Sequence, residues 1–118
     1  MIDRAEILVI KEGWVKLKAR LEEQFGEIPD LQTVLFLIGV QELGKGSMTF
    51  TKDQKVDLMH IAICKLLSKY GYYEFDTIDE DGWPHWKVVK DLPHLENKEQ
   101  DLLLKKAIVA YFSEDKEN

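Results

Sequence analysis

The chain has 118 residues, a net charge of −6, 45% hydrophobic and 32% charged residues. That length can bury one core without disulfides or metals, the aromatic share argues against a disordered chain, and the acidic balance disfavours a broad phosphate-binding face. A single cysteine, Cys64, excludes an internal disulfide and agrees with a reducing compartment.

The opening MIDRAEILVIKEGW carries neither a basic stretch nor a small-residue cleavage site, so it does not read as a signal peptide. The longest apolar run, Val34 to Val40, is too short to span a bilayer. A soluble cytoplasmic protein without a membrane partner is expected, with one globular domain over residues 1–112 and a charged, frayed tail over 113–118.

From Asp3 to Phe25, Ile7, Ile10, Trp14, Leu17, Leu21 and Phe25 recur at helical spacing, which predicts a long amphipathic helix ending at Gly26. Asp30 can cap a second helix through Leu43, whose centre is apolar all round and therefore buried on several sides. After a loop from Gly44 to Thr51, Thr51 and Gln54 form a capping box for a third helix over Lys52 to Tyr70. Val56, Met59, Ile63, Leu66, Leu67 and Tyr70 are its expected apolar face, and Gly71 its stop.

Tyr72 to Ile78 and Trp83 to Val89 flank Asp79-Glu-Asp-Gly82, a pattern that predicts a β-hairpin with Gly82 in a positive-φ turn position and Pro84 keeping the second strand short or at an edge. A connector with Pro93 leads to a final helix opened by Asn97 and Gln100, with Leu103, Leu104, Ala107, Ile108, Tyr111 and Phe112 toward the core. The expected fold is mainly α, a compact bundle of about four helices with one hairpin.

Chemistry-bearing motifs are few. Gly39 to Gly46 matches a phosphate-binding loop until Gly46 takes the place of the Ser or Thr that would hold magnesium, and Ser47 comes one residue late. Asp53, Asp57, His60 and Cys64 fall on one stripe of the third helix, so His60 and Cys64, with His85 or His94, are the candidate metal ligands. The same thiol as a nucleophile would need an exposed, electropositive setting, whereas Cys64 borders an apolar face. The acids around Asp79 lack the end ligands of a calcium loop and read as a solvated turn. No cofactor is expected.

The segment from Tyr70 to Lys90 concentrates six aromatics and five acids. Alternation in a two-stranded hairpin sends only part of such a set inward, so Tyr73, Phe75, Trp83, His85 and Trp86 are the candidate partner-binding residues. The competing reading uses the same rings to cover the helical core.

The order of three helices and a hairpin resembles a winged-helix domain, with Lys52 to Tyr70 in the recognition position and Asp79 to Gly82 at the wing tip. That resemblance implies nucleic-acid binding through Lys45, Lys52 and Lys55, although the long loop before the third helix and the acidic wing depart from the pattern. The segment YGYYEFDTIDEDGWPHW also resembles a group of small uncharacterised bacterial proteins, over Phe50 to Lys87, and implies no activity. The leading expectation is an interaction module that contacts another protein or a second copy of itself. A nucleic-acid-binding regulator, or a small metal protein or hydrolase using His60 and Cys64, are the alternatives.

Overall fold

Residues 3–45, 49–91 and 97–117 are described by the computed structural model, so the features expected at Gly46, Ser47, Pro93 and His94 lie outside the described residues. Four helices and one antiparallel hairpin follow in the expected order: α1 (Arg4–Phe25), α2 (Leu31–Leu43), α3 (Lys52–Ser68), β1 (Tyr73–Ile78), β2 (Pro84–Val88) and α4 (Asn97–Glu117). Contacts group the chain into two compact units, one holding α1 and α4, the other α2, α3 and the hairpin. No helix among the described residues is long and apolar enough to cross a membrane.

In the first unit, the Asp3 carboxylate accepts a hydrogen bond from the Glu6 amide at 2.8 Å and starts α1. Ile10, Trp14, Leu17 and Leu21 are buried, as the stripe predicts, whereas Phe25 at its end is exposed. Helix α4 contributes buried Ala107, Ile108 and Tyr111, and Lys106 pairs with Glu6 at 2.6 Å. The backbone of α4 continues to Glu117, past the point where fraying was expected at 113. No glycine or proline interrupts that stretch, and its Ser, Glu, Asp and Lys residues are compatible with helix.

In the second unit, the Asp30 carboxylate accepts from the Thr33 amide at 2.8 Å. The capping box of α3 is complete: the Gln54 amide donates to Thr51 Oγ1 at 3.2 Å and the Thr51 amide to Gln54 Oε1 at 2.9 Å. Val34, Leu35, Ile38 and Leu43 of α2 and Leu58, Ile61, Ala62, Leu66 and Leu67 of α3 are buried. The two helices come into close contact at Gly39, where an added Cβ would overlap the Leu58 carbonyl oxygen and lie 2.7 Å from its carbon.

This contact corrects the expected inner face of α3. Val56 is exposed and Met59 and Ile63 only half-buried, while Leu58, Ile61, Ala62 and Cys64 point inward. An α2 that is apolar on all sides accepts neighbours from several directions, and Gly39 lets the Leu58 side come nearest. Helix α3 also ends two residues early, at Ser68. Its last turn tightens as the Tyr70 amide donates to the Leu67 carbonyl and the Gly71 amide to the Ser68 carbonyl, each at 3.1 Å.

The strands pair Tyr73 with Val88, Glu74 with Lys87, Phe75 with Trp86, Thr77 with His85 and Ile78 with Pro84. Asp76 is an extra residue in β1, a bulge that shifts the alternation of the strand. Tyr73, Phe75 and Ile78 therefore share one face with Val88, Trp86 and Pro84, and every member of that face is apolar or aromatic. Glu74, Lys87, Thr77 and His85 share the other face.

Candidate functional site

The hairpin turn is organised by one side chain. Asp79 Oδ1 accepts from the amides of Asp81 at 2.9 Å and Trp83 at 3.0 Å, and its Oδ2 lies 2.9 Å from His85 Nε2. Its own amide donates to the Trp83 carbonyl at 2.9 Å, and its carbonyl accepts from Gly82 at 3.0 Å. The bond from His85 and those from the two backbone amides favour the charged carboxylate, so they hold Asp79 below the usual carboxylate range. Gly82 has φ 86°, a conformation glycine adopts without cost. The Lys45 ammonium donates to the Asp81 carbonyl beside it.

Trp83, at the foot of the turn, is half-buried and packs on the cluster of Leu43, Leu58 and Ile61. Its ring meets Phe50 edge-on at 6.3 Å, and Phe50 meets Phe36 at 6.0 Å. This run of rings anchors the hairpin to α2 and α3. Of the five candidates, Trp83 is the one that packs on this buried cluster.

Tyr73 and Trp86 are half-buried, and Phe75 and His85 are exposed. Phe75 and Trp86 stack edge-on at 5.7 Å, and Tyr73 meets His60 at 6.4 Å. The Trp86 Nε1 atom is buried and has no hydrogen-bond partner. Phe75, Ile78, Pro84 and Trp86 form one wall of a groove of about 230 Å³ whose other wall holds Glu42 and Lys65, 3.9 Å apart.

A second cleft, of about 390 Å³, opens between α3 and the turn. Asp57 and His60 line it from α3; Asp79, Asp81, Trp83, His85 and Trp86 line it from the hairpin. Sequence spacing puts His60 on one stripe of α3 with Asp57 and Cys64, but does not show that the acidic turn folds over it. The missed signal was an aspartate at the start of a turn closed by glycine, whose side chain can cap backbone amides.

His60 and Cys64 are brought together, with Sγ 3.7 Å from Nε2 and 3.9 Å from Nδ1. Cys64 is fully buried, and burial pushes its thiol up to about 11. His85 is engaged by Asp79 instead of this pair, and His94 lies outside the described residues. Among the described residues, no group of three His, Cys, Asp or Glu side chains is arranged to hold a metal ion. Lys52 and Lys55 are exposed in the first turn of α3, whereas Lys45 is drawn to the hairpin turn. Compared with family models, curated proteins and solved structures, the chain matches none of them.

Proposed function

We propose that this protein is an interaction module that pairs with a second copy of itself through the apolar face of its hairpin. What supports the reading is the exposure of half of that face: Phe75 is 47%, Ile78 60% and Val88 62% accessible on paired strands, beside half-buried Tyr73, Pro84 and Trp86. Large apolar side chains gathered in one place favour a contact that removes them from water.

The face also suits an isologous contact. Its six strand positions carry no formal charge, and the ion pair of Glu74 with Lys87, at 3.6 Å, belongs to the opposite face. Two copies can therefore meet without opposing like charges. A face of six strand positions, half of them exposed, supports a weak, reversible association, because stable interfaces engage about 20–30 residues on each partner.

Light scattering across a concentration series tests it. The wild-type mass should climb from one chain toward two, and Phe75→Ser with Val88→Ser should remain a folded monomer throughout. A wild-type protein that stays monomeric at every concentration, or a double variant that still pairs, rejects the reading.

A further inference from the structure

We propose that the cleft between α3 and the hairpin turn binds an organic cation, an ammonium or guanidinium group. This goes beyond the pairing of hairpin faces and does not depend on it. At about 390 Å³ the cleft has the size of a small-ligand site. Trp83, Trp86 and His60 line it together with Asp57, Asp79 and Asp81. Aromatic faces and carboxylates together are the surroundings in which a cation loses least on leaving water.

Two of those carboxylates are available. Asp79 is committed to the turn and to His85, but the Asp57 and Asp81 carboxylates make no hydrogen bond or ion pair with any described residue. Among the described residues, no lysine or arginine lines the cleft. The ammonium of Lys45 is directed to the Asp81 main-chain carbonyl, at the turn's backbone.

Geometry selects the kind of cation. A bare divalent ion needs several oxygen or nitrogen ligands within about 2.0–2.6 Å of one point, and the acidic and imidazole groups among the described residues do not converge in that way. A planar guanidinium presents five donors in a fork and stacks on an aromatic face, so it can reach carboxylates that stand apart on opposite walls. Asp57 lines the cleft from α3 and Asp81 from the hairpin turn.

The test titrates Nα-acetyl-arginine amide, Nα-acetyl-lysine amide and the tripeptide Gly-Arg-Gly into the full chain at fixed ionic strength. Binding is followed by tryptophan fluorescence and by amide and indole shifts in NMR spectra. Saturable shifts should centre on His60, Asp81 and Trp86, and Asp57→Asn with Asp81→Asn should weaken binding about tenfold or more. A charge-matched control outside the cleft, Asp53→Asn with Glu80→Gln, should change affinity by less than about twofold.

Tighter binding of the tripeptide than of the single-residue probes assigns the cation to a protein chain; equal binding assigns it to a free small molecule. Absence of saturable shifts overturns the proposal, as does equal weakening by both pairs of substitutions, which would mark a general field effect. Binding of zinc or calcium without either organic cation also overturns it. Circular dichroism of each variant separates loss of binding from loss of fold.

Discussion

Asp79 Oδ2 lies 2.9 Å from His85 Nε2, so a turn carboxylate and a strand imidazole six positions on are locked into one unit. The consequence is a pH dependence of defined sign. Because hydrogen bonds from His85 and from the Trp83 and Asp81 amides lower the folded-state value of Asp79, its contribution to stability is present above the ordinary aspartate value. That contribution is lost as pH falls below about 4 and through the lower folded value. Carboxyl NMR titration should place the Asp79 midpoint below the ordinary aspartate value, and His85→Ala should raise it. An unchanged midpoint in His85→Ala would contradict this account of the turn.

Gly39 is expected to be the least replaceable residue of the second unit. A methyl group there would overlap the Leu58 carbonyl and lie 3.0 Å from the Leu58 Cβ, and backbone cannot yield as a flexible side-chain end can. Gly39→Ala gains helix propensity of about 1 kcal/mol, yet overpacking should outweigh it and leave a net loss of about 1–3 kcal/mol. Urea unfolding measures the difference, and a variant as stable as wild type would show that α2 and α3 do not approach so closely in solution.

Trp83 and Phe75 should respond in opposite ways to truncation. Trp83→Ala removes the ring that joins the turn to Leu43, Leu58, Ile61 and Phe50, and should cost about 2–4 kcal/mol of stability. Phe75→Ser acts at an exposed position and should change stability by less than about 1 kcal/mol, while weakening self-association. Thermal melts of both single variants, read beside their mass in solution, separate anchor from contact residue.

Cys64 should react with a thiol reagent only through opening of the fold. Its sulfur is buried and its thiol raised to about 11, so at pH 8 little thiolate forms in the native state. Labelling by a disulfide reagent should be slow in buffer and fast in denaturant. The sign for stability follows: the contribution is whole below the ordinary thiol value of about 8.5 and declines as pH rises through the folded value. Rapid labelling under native conditions would place the thiol at the surface.

Much of this architecture was legible without coordinates because its signals are local. Asp3, Asp30 and Thr51 with Gln54 are caps whose hydrogen bonds lie within four residues, and Asp79 to Gly82 is a turn closed by its own neighbours. Periodicity identified the buried centre of α1 through Ile10, Trp14, Leu17 and Leu21, which recur at three- and four-residue spacing, while Leu8, Val9 and Val15 lie off that stripe and are exposed.

The remainder depended on which surfaces meet. Helix α3 carries apolar residues on more than one side, and only the close approach at Gly39 turned Leu58 inward and left Val56 exposed. Likewise, strand alternation alone could not tell that the Asp76 bulge would put Ile78 on the face of Phe75, or that Trp83 would go to the core while Phe75 faced water. The site followed from the same long-range choices. His60 and Cys64 are neighbours by helical spacing, but the cleft that joins Asp57 and His60 to Asp81 and Trp86 exists only because the turn folds over α3. Short-range hydrogen bonds are written in the order of residues; the pairing of distant surfaces is decided by packing, where one missing Cβ or one added strand residue changes which side chains face each other.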